Sequence, residues 1–241
     1  TLMKYKFIAC DYDDTLLPKS GVISDFTKDT IQGYIARGGR FAICTGRMFR
    51  SIVKIAREFG LHGEIISYQG SLIKNIDTEE TLLINDIDKD LAVDYVEFMK
   101  KQNVFPQVYV GDNLCVEKEN PYSADAPVNK VYCSMDSSIT EQVRNAAIKE
   151  FGDRLLINSS KPYNVEAVDA HASKGKAVDF LANKYGISLS DTMTFGDNLN
   201  DLQMIEVAGM GVAVGNAVDT LKNAADYIAE NCEDDGVAKT I

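Results

Sequence analysis

The stretch Phe7-Ile8-Ala9-Cys10-Asp11-Tyr12-Asp13-Asp14-Thr15 decides how this chain is read. Its first four residues form a short apolar run, the pattern of a buried strand. Three carboxylates follow within four positions. Ending a buried strand that way is costly, because close like charges repel and burial disfavours each ionised form. The cost falls if a divalent cation sits among the oxygens. Mg²⁺ typically takes one or two carboxylates together with substrate phosphate and water. Asp clusters also build turns and helix caps, so residues 11–15 alone fit a metal site and a tight turn equally well.

Outward from this stretch, apolar strands alternate with amphipathic helices. Ser24 is placed to cap a helix carrying Phe26, Ile31, Tyr34 and Ile35, which stops at Gly38-Gly39. Phe41 to Cys44 is the next strand, a helix runs through Ile52, Val53, Ile55, Ala56 and Phe59, and Ile65-Ile66 begins a third strand. The alternation resumes with a helix over 174–185, a strand over 192–195, a helix over 199–207, a strand over 211–214 and a short strand near Tyr227-Ile228. This is the pattern of an α/β, doubly wound parallel sheet with helices on both faces.

From about 82 to 170 the texture changes. Strand signals at Leu82–Ile84, Gln107–Val110, Leu114–Glu117, Lys130–Ser134, Leu155–Asn158 and Asn164–Val168 are broken by helical stretches near 89–101 and 139–150. Tight turns such as Gly111-Asp112 suit antiparallel pairing. The expected organisation is therefore a core of residues 1–81 and 171–241 with an α+β unit, residues 82–170, inserted into it. The irregular stretch Glu119 to Lys130 is the candidate specificity element of that unit.

Bulk properties narrow the function. The 241 residues carry 25 Lys plus Arg against 36 Asp plus Glu, a net charge of -11. That balance argues against nucleic-acid binding, which relies on broad basic surfaces, but leaves room for one focused anion site. Cysteines at 10, 44, 115, 133 and 232 lack paired spacing, so buried free thiols in a reducing cytoplasm are expected. No apolar run approaches the ~20 residues that span a bilayer, and the first residues contain no signal-peptide h-region. No feature specifies an oligomeric state.

Ligands of open parallel sheets bind beyond the carboxyl ends of the strands. Asp11 and Asp13 follow the first strand, Thr45-Gly46-Arg47 the second and Gly196-Asp197-Asn198 a late one, while Asn200-Asp201 and Lys174 open helices. The convergence of these separate segments is the functional signal. Asp11 is placed to attack phosphorus. Asp13 is placed to protonate a leaving oxygen and then activate water. Thr45 and the Gly46 N–H suit phosphate oxygens. Lys174 supplies positive charge, Asp197 completes a metal site, and Asn200 donates to phosphate with Asp201 orienting it. Taken singly, Thr45 also reads as a helix cap, Asn200 and Asp201 as helix-opening residues, and Lys174 as a surface lysine. Arg47 fits substrate contact and structural support alike. His62 and His171 read as loop residues, with His171 near enough to Lys174 to reach substrate.

Together these segments resemble the haloacid dehalogenase superfamily, in its Cof-type branch with a cap inserted between the second and third motifs. The matching motifs are Asp11-Tyr12-Asp13-Asp14-Thr15-Leu16, Thr45-Gly46-Arg47, Lys174 within Ser173-Lys174-Gly175-Lys176, and Gly196-Asp197-Asn198-Leu199-Asn200-Asp201. Asp235-Gly236-Val237-Ala238 resembles the family's C-terminal segment. Asp14 departs from the usual glycine, and Gln69-Gly70 from the common Asn-Gly. The resemblance implies a Rossmann-like core with a specificity cap, and Mg²⁺ held by Asp11, the Asp13 backbone carbonyl and Asp197. It further implies hydrolysis of small phosphorylated metabolites, sugar phosphates first, through an aspartyl-phosphate on Asp11. An acid at position 13 resembles phosphatase or phosphomutase chemistry, whereas P-type ATPases carry threonine there. A phosphomutase, a phosphorylation-switched receiver module and a catalytically silent binding protein are the alternatives.

Overall fold

The computed structural model describes residues 3–115 and 127–241. In the stretch Glu119–Lys130, residues 119–126 lie outside the described residues, as do the last two of Leu114–Glu117.

The first half of the larger layer comprises β1 (Phe7–Cys10), α1 (Asp25–Ala36), β2 (Arg40–Cys44), α2 (Phe49–Glu58), β3 (Glu64–Ser67), β4 (Leu72–Asn75) and β5 (Thr81–Ile84). The chain then builds α3 (Lys89–Lys101), β6 (Pro106–Val110), β7 (Asn113–Cys115), β8 (Val128–Ser134), α4 (Ser137–Phe151), β9 (Leu155–Asn158) and β10 (Asn164–Asp169). It returns through α5 (Lys174–Tyr185), β11 (Thr192–Gly196), α6 (Leu202–Val207), β12 (Met210–Ala213), α7 (Asp219–Ala224), β13 (Tyr227–Ile228) and α8 (Gly236–Thr240).

Eight strands form one sheet in the order β13-β12-β11-β1-β2-β3-β4-β5. Pairing is parallel from β13 to β3 and antiparallel through β4 and β5. The β1 strand is apolar on both faces for a physical reason. Ile8 and Cys10 pack into one core with Ile31 and Phe41 from beneath α1 and β2, while Phe7 and Ala9 pack on the other side with Val178 and Leu181 of α5. The fold is the expected α/β core. Residues 82–84, expected in the inserted unit, instead belong to β5, the antiparallel edge of the large sheet. Periodicity marks a strand without saying which sheet receives it.

The second sheet runs β7-β6-β8-β10-β9, all antiparallel. One face packs Val108, Val131, Val165 and Ala167 against Tyr95, Met99 and Ala147 of α3 and α4. The other face, through Tyr109, Lys130, Tyr132, Asn164 and Glu166, lines a cavity against the large sheet. The helix expected over 199–207 is a 3₁₀ turn at Leu199–Asp201 followed by α6.

Candidate active site

Strand register assembles the site. Cys10 is level with Ile43 on one side and Phe195 on the other. Asp11, the residues after β2 and Asp197 therefore emerge side by side at the carboxyl edge, where the order of connection reverses about β1. A cavity of about 400 Å³ opens there between the two sheets.

Lys174 is the first residue of α5, whose N-cap Ser173 accepts a bond from Lys176 N. The 3₁₀ turn Tyr68–Gly70 presses on this helix start. A Cβ on Gly70, which has φ 101°, would lie 2.2 Å from the Ser173 carbonyl oxygen, so only glycine fits. The side chain of Lys174 is fully buried, which excludes the surface-lysine reading. Its Nζ donates to Asp11 Oδ1 at 2.5 Å and Asp201 Oδ1 at 2.6 Å.

Asp201 Oδ2 accepts from Asp197 N at 2.9 Å and Asn198 N at 3.1 Å, closing the loop after β11. Its bonds therefore run to Lys174 and this loop, and it does not orient Asn200 as expected. Asn200 Nδ2 instead donates to Gln69 Oε1 at 3.1 Å. Its buried Oδ1 has no hydrogen-bond partner among the described residues.

Two carboxylates share one lysine, and Asp197 adds a third close by. Burial and then the Asp201 charge raise the Asp11 carboxyl well above its usual value, against the pull of Lys174. The same two causes push Asp197 up to about 7. Burial works against the charge on Lys174, but Asp11 and Asp201 outweigh it and hold the ammonium well above its ordinary pKa.

Thr45 does not cap α2, whose N-cap is Met48. Its Oγ1 accepts from Arg47 N at 3.1 Å. Arg47 grips both oxygens of Asp13, at 2.9 Å and 2.6 Å, and lies over the Tyr12 ring. Gly46 lines the cavity. The start of α2 is capped from the other sheet. Asp112, at the tip of the β6–β7 turn, accepts from Phe49 N at 3.1 Å, Arg50 N at 3.3 Å and the Tyr68 hydroxyl at 2.8 Å.

The opposite wall of the cavity comes from the second sheet. Lys130 Nζ donates to Gly46 O at 2.8 Å and Glu166 Oε2 at 3.0 Å. Glu166 also accepts from Ser160 Oγ at 2.5 Å and Asn164 Nδ2 at 3.2 Å. Burial opposes its charge, yet Lys130 and the bond from Ser160 hold its carboxyl below the usual value. Asn198 Nδ2 reaches Ser160 O at 2.9 Å. A polar alternate face on an antiparallel strand reads as solvated, so sequence alone carries no signal that this one is buried. His62 and His171 are exposed and bond Asp77 and Asp169 respectively; neither lines the cavity. All five cysteines are unpaired, four of them buried.

Known proteins match this chain along nearly its whole length. A family model described as haloacid dehalogenase-like hydrolase matches residues 8–126 and 116–241. The 5-amino-6-(5-phospho-D-ribitylamino)uracil phosphatase YcsE of Bacillus subtilis is 30% identical over 254 residues, covering 98% of this chain and 94% of that one. A haloacid dehalogenase-like hydrolase from B. subtilis superposes with TM-score 0.87 at 25% identity, covering 98% of each chain. Another, from Bacteroides thetaiotaomicron, gives TM-score 0.83 at 27% identity with the same coverage.

Proposed function

This chain belongs to the haloacid dehalogenase-like hydrolases and is a Cof-type phosphatase, and on that premise we propose that it hydrolyses small phosphate monoesters with Mg²⁺ through an aspartyl-phosphate on Asp11. One observation carries the reading. Asp11, Asp197, Thr45-Gly46 and Lys174 meet at the carboxyl ends of adjacent strands, at one end of the cavity between the two sheets.

The residues fit a hard cation. Carboxylate oxygens of Asp11, Asp197 and Asp201 lie within 4.8 Å of one another, and Lys174 pairs with two of the three. Because Asp201 has both oxygens engaged, Asp11 and Asp197 would hold the cation, and the family resemblance adds the Asp13 backbone carbonyl. When bound, Mg²⁺ supplies positive charge to the phosphoryl oxygens.

The Asp11 carboxylate attacks phosphorus, and Lys174 fixes its orientation. The bond from phosphorus to the leaving oxygen breaks as the Asp11–phosphorus bond forms. Asp13 gives its proton to that oxygen, which requires Arg47 to release one carboxylate oxygen. Asp13 then takes a proton from water as the water attacks phosphorus, freeing phosphate and Asp11. Thr45 and the Gly46 N–H hold the phosphoryl oxygens.

The inserted unit acts as the cap. Glu166, Ser160, Asn164 and Tyr132 form a wall suited to hydroxyl groups, which supports a sugar phosphate or a similar polyol phosphate as substrate. The unpaired cysteines support a cytoplasmic setting. The test is phosphate release from a panel of monoesters with Mg²⁺ and with excess EDTA, using the wild type and Asp11→Asn. Mg²⁺-dependent release that Asp11→Asn abolishes is expected. Wild-type turnover in Asp11→Asn overturns the nucleophile, and a sugar-bisphosphate requirement indicates a mutase.

A further inference from the structure

The loop after β2 is held at both ends by the inserted unit. Asp112 bonds the first two amides of α2 at one end, and Lys130 bonds the Gly46 carbonyl at the other. Lys130 is buried at 5% exposure, with its Nζ 4.9 Å from the Tyr109 ring centre and 5.6 Å from that of Tyr132. Burying an ammonium is costly unless its donors are used. Here two of them are used, and one goes across the cleft to a backbone oxygen of the other sheet.

We infer that Lys130 is a positioning residue for the phosphate site, acting through Thr45. The Gly46 carbonyl and the Arg47 N–H belong to one planar peptide group, so fixing the oxygen fixes the direction of the hydrogen. That N–H donates to Thr45 Oγ1. With its acceptor side occupied, the Thr45 hydroxyl keeps its single hydrogen for a phosphoryl oxygen. The phosphate end of the cavity is thus built partly by the unit that covers the leaving group, and seating that unit and binding phosphate are one coupled event. The bonds of Lys130 run to Gly46 and Glu166 rather than to Asp11 or Asp13. This inference rests on the phosphatase reading for its kinetic test but not for its structural one.

The test uses the full chain with Lys130→Met and Glu166→Gln combined, so that no buried charge is left unpaired and the stem still packs on Tyr109 and Tyr132. The inhibition constant for inorganic phosphate is expected to rise about tenfold, the size of one lost charge-assisted bond. Inorganic phosphate carries no leaving group, so this readout is independent of the place of Glu166 in the wall that faces the leaving group. In a Thr45→Val background the same pair of substitutions is expected to cost less than about twofold, because the hydroxyl it positions is gone. Amide exchange of residues 44–50 is expected to speed up in the pair variant, a readout independent of turnover.

Unchanged phosphate inhibition, or losses that simply add in the Thr45→Val background, would overturn the inference. If the wild type hydrolyses no monoester, the phosphatase reading fails instead. Exchange over 44–50 then decides this inference by itself, with unchanged rates counting against it.

Discussion

Lys161, between β9 and β10, crosses the cleft to form an ion pair with the carboxylate of Asp14, which follows the general-acid candidate directly. Asp14 has φ 61°, in the left-handed region that glycine enters without strain. Aspartate tolerates that region better than most residues, and Asn216 Nδ2 braces the Asp14 carbonyl at 2.7 Å. A position that ordinarily serves only the turn here also carries a charge that meets the inserted unit.

Asp14→Gly should therefore trade one small term for another. The backbone relaxes, while a part-exposed ion pair worth about 0–1 kcal/mol is lost. We expect unfolding free energy within about 1 kcal/mol of wild type in a urea titration. KM should rise several-fold with kcat held, because the closed arrangement loses a tie. Lys161→Ala should match it, and the double variant should add nothing. Additive KM effects would mean that the two residues act separately.

Lys174 is a different case, because its partners are buried with it. Lys174→Met strands Asp11 and Asp201 without a cation, and should destabilise the fold by about 3–5 kcal/mol. Adding Asp201→Asn removes one stranded charge and should recover part of that loss, while turnover stays absent in both. Denaturant midpoints of the two variants measure this. A single variant as stable as wild type would contradict the charge arrangement.

The legible part of this molecule is what short-range chemistry governs. The bounds of α5 and β13 follow from a capping serine, a helix-ending Gly186 and an apolar dipeptide. The motif residues fall together because parallel strands carry their carboxyl ends to one edge. What could not be read depends on partners far along the chain. Lys174 is buried only because two acids from other segments meet it. Leu82–Ile84 joins the large sheet because β4 offers an edge. The Lys130–Glu166 wall looks solvated until the second sheet lies over the first. Asp112 looks like a turn residue, and becomes a helix cap only when Phe49 and Arg50 are brought to it.

The acidic cluster should make stability depend on pH in a direction opposite to an ordinary ion-paired carboxylate. Asp197 keeps its proton in the folded chain up to about 7, under burial and the charge of Asp201. In the unfolded chain it gives that proton up near pH ~4. Over that interval the folded state binds more protons, so stability is fully present below about pH 4 and is lost as pH rises through about 7. Asp11 shifts in the same direction. In EDTA, the melting temperature should therefore fall between about pH 5 and pH 8. Mg²⁺ near 100 times its dissociation constant should add about 2.7 kcal/mol at the upper end, or roughly 5–10 °C. Asp197→Asn should flatten both responses, since it removes the titrating group and a ligand together. A melting temperature in EDTA that holds steady or climbs over this range, and ignores Mg²⁺ at pH ~8, would show that the cluster neither carries this strain nor relieves it with a cation.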